Sequence, residues 1–360
     1  MPNIKSFNAL CPPHVPQEYS GTRYPELDTY LQDETNCFYI YRMIRGVHTQ
    51  TGLVSCVDIK DFNEGRIKCH EHVRPEKIHI QLDQMKTSNC NIEPILLAYD
   101  SNNKSIPLIE EYADSNNPDF DFFDTDEPAV KHQVWRITDE NIIHALTEFF
   151  KDVDAFYVCD GHHRIAASAA YYDKYKSKED PEGCESRYLM ASIFPSHQML
   201  ILDYNRTVED LNGLSKDEFI SQLHDAGFII TETSSEPFYP NHGEYTMILD
   251  NIWYRLSYEG ERDKNNPVAS LDVSILQDLV LDGILGIHDP RNDERLGFIR
   301  GTRGLHALQE ATQDDMGVAF AIPPVSMEEI LTVAKMDLTM PPKSTCFEPK
   351  PISGLIIHEL

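Results

Sequence analysis

The sequence predicts a mixed α and β (α+β) fold built as two packed lobes, and three observations carry that expectation. Strand-like and helix-like hydrophobic periods alternate along the chain. Its 360 residues, 41% of them hydrophobic, are ample for a large buried core and slightly long for a single one. A short apolar strand, Ala155–Cys159, runs straight into the polar run Asp160–Arg164 and then into an Ala-rich helix.

The first 35 residues, rich in Pro and polar groups, read as an extended lead-in. Phe38–Ile44 and Gly52–Ile59 carry the β-branched and aromatic residues of strands, and Ile92–Tyr99 reads as a buried strand. Asn116–Pro128, which contains DFDFFDTDE, reads as an acidic surface loop. A strand at His132–Thr138 leads to a helix capped by Asp139 and ending near Phe150. The Ala-rich helix runs from Ile165 to about Lys176, and Tyr188–Pro195 with Met199–Asp203 suggests a strand pair. Ser215 caps a helix to Ala226, closed by Gly227, and strands follow at Phe228–Thr233, Tyr245–Leu249 and Trp253–Tyr258. The last third predicts helices at Asp272–Leu285, Thr302–Ala311 and Ser326–Met336. Strands are expected at Leu296–Arg300, Val318–Ile322 and Gly354–His358. The segment TMPPKSTCFEPKP before the last strand is long and unusual enough to be a functional loop.

A formal net charge of -28, from 59 acidic and 31 basic side chains, argues against nucleic acid and anionic lipid as partners, since both are held through Lys and Arg. The eight cysteines form no C-x-x-C pair, so no zinc ribbon or redox pair is signalled. The N-terminal residues lack a signal-peptide pattern and no long apolar run follows, so a reducing cytoplasm and no membrane contact are expected.

Chemistry concentrates in three places. Asp160-Gly161-His162-His163-Arg164 joins a strand to a helix N-terminus, where unpaired N–H groups and the helix dipole favour an anion. Gly161 allows a tight turn and close approach of a ligand. Three basic side chains in a first turn oppose the dipole by about 0.3–1 kcal/mol each, which a bound polyanion would offset. The plain alternative is that the histidines are satisfied core residues and Arg164 a surface charge. In the second place, Lys68, His70 and His72 alternate, so an extended chain projects them to one face with Glu71 opposite; a turn would instead bring Glu71 into a cleft. Arg74 and Lys77 add positive charge, and a solvated strand edge is the plain alternative. Third, Lys343, Ser344 and Thr345 follow two prolines and offer a cation and two hydroxyls to a polar substrate, or simply connect two elements.

The segments Ile67–Pro75, Asp160–Arg164 and Met340–Leu355 together resemble the I-K-x-H-E-x-x-R-P, D-G-H-H-R and M-P-P-K-S-T-x-F-x-P-K-x-x-S-G-L pattern of a prokaryotic family described as a domain of unknown function. The D-G-H-H-R turn is also similar to that of free L-serine kinases of the ParB/sulfiredoxin fold. The resemblance implies a ParB/sulfiredoxin-like catalytic core over 1–205. It further implies a C-terminal α/β lobe over 206–360, whose 340–350 loop returns to the site. It implies Glu71 as general base, matching a glutamate that takes the proton from serine in those kinases.

The reading that follows is a kinase transferring phosphate from ATP or ADP to free L-serine, giving O-phosphoserine. Lys68, Gly161, His162, His163 and Arg164 would hold the nucleotide. Asp160 would bind Mg²⁺ or position the hydroxyl, with Glu71, Asp160 and His162 catalytic. His70, Arg74, Lys343, Ser344 and Thr345 would hold the substrate. The absence of a G-x-x-x-x-G-K-[ST] run excludes an ordinary P-loop kinase. Two alternatives stand beside it: a metal-dependent hydrolase built on His70, His72, His162 and His163, and a non-catalytic nucleotide-binding regulator. The expected partners are a nucleotide and free serine, without nucleic acid or membrane, and a homodimer is left open.

Overall fold

The computed structural model describes every residue except 102–105, 128, 176–183, 234–235 and 315. It divides the chain into two units, Met1–Leu200 with Pro349–Leu360, and Ile201–Glu348.

The first unit is organised on one large sheet. In order across it lie Glu18–Tyr19, Phe120–Asp124, Val130–Ile137, Phe38–Arg45, His48–Asp58, Tyr188–Pro195, Ile95–Tyr99, Phe156–Asp160 and Ile67–Lys68, with Ile4–Lys5 also paired to His48–Asp58. Phe38–Arg45 and His48–Asp58 form a hairpin that closes with Arg45 opposite His48. Its two-residue turn opens on Gly46 at φ +60°, the positive φ that such turns require. Tyr188–Pro195 lies in the middle of the sheet, antiparallel to His48–Asp58 and parallel to Ile95–Tyr99. Burial on both faces explains why no charged residue interrupts it. The helix Glu140–Lys151 is capped as expected, with the Asp139 carboxylate accepting from the Asn141 and Ile142 amides. The helix Pro75–Ser88 meets the helix His162–Tyr175 through Ile78, Leu82 and Met85 against Ala167 and Tyr171. The expected end of the latter helix at Lys176 lies outside the described residues.

Several expectations are corrected. Phe120–Asp124 is a strand inside the segment read as an acidic loop, with Phe120, Phe122 and Asp124 buried and Asp121 and Phe123 exposed. A period of two was present, but the density of negative charge masked it. Tyr188–Pro195 takes the partners just named rather than Met199–Asp203. The final strand is His358–Glu359, paired to Cys90–Asn91, and not Gly354–His358. Two helices begin at a proline, Pro75–Ser88 and Pro107–Ser115. Proline suits the first helical position because its missing N–H would have no partner there.

The second unit carries a six-stranded antiparallel sheet in the order Phe228–Glu232, Ile252–Tyr258, Glu244–Leu249, Val318–Ala321, Tyr204–Val208, Leu296–Arg300. Ser215 and Ser326 open the helices Lys216–Asp225 and Met327–Lys335 with reciprocal bonds to Glu218 and Glu329. The helix expected at Asp272–Leu285 is α-helical over Asp272–Ile275 and continues in wider π-helical turns over Leu276–Asp282. The helix expected at Thr302–Ala311 runs over His306–Asp314. None of the eight cysteines is in a disulfide. Among the described residues, no helix is long and apolar enough to cross a membrane.

Candidate active site

The strand Phe156–Asp160 ends in a bulge, its register against Ile95–Tyr99 shifting between Val158 and Asp160. Gly161 then turns the chain at φ +96°. A Cβ at this position would lie 2.8 Å from Ile95 Cγ2 and 3.0 Å from Arg164 Nε, so both conformation and space demand glycine. The helix His162–Tyr175 starts at once, and its first bond runs from Ile165 N–H to Gly161 C=O. The amides ahead of Ile165 point back toward the turn, at the positive end of the helix dipole.

Arg164 folds back along this turn rather than out of it. Its Nη2 donates to Asp160 Oδ2 at 2.5 Å, and its Nη1 donates to the Pro94 carbonyl at 2.5 Å and lies 3.2 Å from Glu93 Oε1. The other Asp160 oxygen, Oδ1, accepts from Lys350 Nζ at 2.8 Å. Burial alone would raise the Asp160 carboxyl, but the charges of Arg164 and Lys350 outweigh it and hold the group well below the usual carboxylate range. Asp160 is therefore a fixed anion clasped by two cations.

The residues Cys69–Arg74 bring a second group to the same turn. The strand Ile67–Lys68 pairs its backbone with Phe156 and Tyr157 and ends there. The alternation expected beyond it does not persist, since His70 is buried and His72 exposed. His70 packs edge-on against His162, ring centroids 4.7 Å apart, and both are nearly inaccessible at 1% and 4% exposure. Burial pushes the His70 imidazole down to about 4, against a hydrogen bond to the Val158 backbone. Burial, with the neighbouring His70, also pushes His162 far below its ordinary value. Both rings are neutral at physiological pH. Glu71 Oε2 approaches His162 Nδ1 to 3.6 Å, too long for a hydrogen bond and close enough for one to form with a small shift. His162 Nε2 is buried without a hydrogen-bond partner among the described residues. His163 Nε2 accepts the Arg74 backbone N–H at 3.0 Å, which puts the proton of its neutral ring on Nδ1 and ties the start of the helix Pro75–Ser88 to the turn. The Arg74 side chain lies beside Glu76 at 3.9 Å, and Lys77 is exposed on the helix.

These histidines set a pH dependence. The folded-state value of His70 lies below its unfolded one, so between about pH 6.5 and pH 4 the unfolded chain binds a proton that the folded chain refuses. Stability attributable to His70 is intact above that window and falls within it, by about 3 kcal/mol at its lower end. Denaturant unfolding at pH 7 and pH 4.5 is expected to show a markedly smaller acid loss in His70→Phe than in the native chain. Equal losses in the two proteins would mean that His70 is protonated in the fold.

A family model described as a protein of unknown function (DUF1015) matches residues 23–274. The chain belongs to the DUF1015 family. The match takes in the Ile67–Pro75 and Asp160–Arg164 segments and stops short of Met340. No curated protein matches the sequence. Among solved structures, a free serine kinase in complex with AMP is 12% identical with a TM-score of 0.42, covering 85% of this chain and 91% of that one. A conserved hypothetical protein from Pyrococcus furiosus is 13% identical with a TM-score of 0.40, covering 85% and 94%. SbnI with a C-terminal truncation, from Staphylococcus aureus, is 13% identical with a TM-score of 0.43, covering 83% and 85%. Likeness of this degree says nothing about activity.

In this DUF1015 chain the first unit brings together Glu71, His70, His162, His163, Asp160, Gly161 and Arg164, with the Arg74 backbone. Lys343, Ser344 and Thr345 belong to the second unit. There Lys343 adopts φ +59° with its amine 5.8 Å from the Tyr204 ring, and buried Ser344 donates to the Pro341 carbonyl at 2.6 Å. Among the described residues no three His, Cys, Asp or Glu side chains gather as a metal-ligand set. The set proposed for a hydrolase is divided, with His72 exposed and His163 Nε2 engaged by Arg74. Direct Mg²⁺ ligation by Asp160 does not fit either, because each of its oxygens already holds a cation. The sequence reading missed Lys350, Glu93 and Pro94 as members of this cluster. Lys350 carried one signal, its place between Pro349 and Pro351 within the third motif.

Proposed function

We propose that this DUF1015 chain is a phosphotransferase that moves a phosphoryl group from ATP or ADP to the hydroxyl of free L-serine. One observation carries the reading. A glycine-turned helix N-terminus, suited to phosphate oxygens, lies beside a carboxylate, Glu71, that approaches a buried neutral imidazole, His162. The similarity of the D-G-H-H-R turn to that of free L-serine kinases, with Glu71 as the best match to their upstream glutamate, supports the choice of acceptor.

Phosphoryl transfer depends on positioning and on positive charge around the moving group more than on covalent help. In the proposed reaction the helix N-terminal amides hold the terminal phosphate. Arg164 serves by locking Asp160 to the Pro94 carbonyl, which fixes the turn. Glu71 accepts the serine proton as the oxygen attacks phosphorus and the bond to the leaving nucleotide oxygen breaks. Neutral His162, beside Glu71, orients that carboxylate or the hydroxyl. The products are O-phosphoserine and the nucleotide one phosphate shorter. No step is assigned to a metal held by Asp160.

Phosphorus NMR of the pure protein with ATP or ADP, magnesium salt and a panel of free hydroxy amino acids tests the reading. A phosphomonoester resonance that grows only when serine is present is the expected outcome. Nucleotide binding without any new phosphoester would instead favour a regulatory protein, and release of inorganic phosphate alone a hydrolase.

A further inference from the structure

The C-terminal residues 349–360 form a strap fixed to the first unit along its length. Buried Gln50 donates from Nε2 to the Pro349 carbonyl at 3.3 Å, and Ile352 N–H donates to the buried Tyr41 hydroxyl at 3.0 Å. Thr22 N–H bonds the Ser353 carbonyl, Gly354 N–H bonds the Ile92 carbonyl, and Leu10 and Ile357 exchange a pair of bonds. Lys350 sits between the first two anchors and between two prolines that stiffen the backbone on both sides. Its backbone is held on both sides while its side chain is 36% exposed, reaching Asp160 at 2.8 Å. Packing of the strap is supplied by Ile352, Leu355, Ile356 and Ile357, all buried, and does not call for a lysine. Nor does Asp160 depend on Lys350 alone for neutralisation, since Arg164 holds its other oxygen while Glu93, the second carboxylate beside Arg164, also meets Arg23 at 3.4 Å. A second cation on one carboxylate, partly exposed and next to a helix N-terminus, is placed to meet an additional anion.

We infer that Lys350 is a phosphate-binding residue of this site, taking the terminal phosphate oxygens of the nucleotide with its ammonium group. The inference rests on the nucleotide-dependent reading above and extends it to a residue on the strap. Lysine suits the task as a compact point charge on a flexible stem, able to share its donors between Asp160 and an incoming phosphate.

Isothermal titration of the full-length chain with ADP and with adenosine tests it. Adenosine presents the same base and sugar without phosphate. Lys350→Met is expected to weaken ADP roughly 10–100-fold, the loss of one charge-assisted contact, and to leave adenosine unchanged. Lys350→Arg keeps the charge and should recover most of the ADP affinity. An equal loss for both ligands, or none for ADP, overturns the inference while leaving the nucleotide reading in place. Absence of ADP binding in the native chain sinks that reading and this inference together, and the native titration alone reveals it. If Lys350→Met does not fold, Lys350→Gln provides the same comparison, and thermal melting of each variant identifies which is usable.

Discussion

Glu71→Gln is expected to slow phosphoryl transfer to serine by roughly 10²–10⁴-fold, the range over which a positioned general base acts, while nucleotide affinity stays close to that of the native chain. The amide keeps the size of the side chain and its approach to His162 but cannot take the hydroxyl proton. With 30% of its side chain exposed, Glu71 is not part of the core, so the substitution should leave the melting temperature nearly unchanged. Single-turnover kinetics separate the chemical step from binding. Native turnover in this variant would move the base elsewhere. Asp160 would then be a poor successor, because both of its oxygens are held by cations and its proton affinity is strongly depressed.

Arg164→Ala carries the second large effect, and here it is structural before it is catalytic. The change removes the donor to Asp160 and to the Pro94 carbonyl and the partner of Glu93, all from a side chain only 14% exposed. Leaving the Pro94 carbonyl without this donor and Asp160 with Lys350 alone is expected to cost roughly 2–4 kcal/mol of folding stability. Nucleotide affinity should fall as well, because the turn loses its internal brace. Arg164→Lys should recover little, since one ammonium cannot reproduce a fork that spans a carboxylate and a carbonyl. Denaturant midpoints for the three proteins decide the matter. A native midpoint in Arg164→Ala would mean that the arginine is an ordinary surface charge.

The strand–turn–helix at Asp160–Arg164 was legible because its signals are local. An apolar run, a glycine that must take positive φ, and an Ala-rich helix announce themselves over about twenty residues. The Asp139 and Ser215 caps were legible for the same reason. What each side chain faces was not, because that depends on strands distant in sequence. The partners of Arg164, Pro94 and Glu93, arrive from the segment entering Ile95–Tyr99, and Lys350 arrives from the C-terminal strap. Phosphate contact was therefore assigned to Arg164, which folds inward, and no role to Lys350, whose side chain is partly exposed. His70 and His72 were read on one face from a strand period that ends at Lys68. A free imidazole titrates near 6.5 in water, and the burial of His70 and His162 that lowers both is set by residues distant in sequence. Phe120–Asp124 shows the opposite failure, a strand whose alternation was overruled by its charge.

The central claim is that phosphate oxygens bind at the N-terminus of the helix His162–Tyr175. A crystal structure of the full chain grown with ADP measures this directly. The account predicts the terminal phosphate within hydrogen-bonding distance of backbone N–H groups in the Gly161–His163 turn, with Glu71 facing the open side of the phosphorus. Nucleotide bound with its phosphates away from residues 160–164 would contradict it.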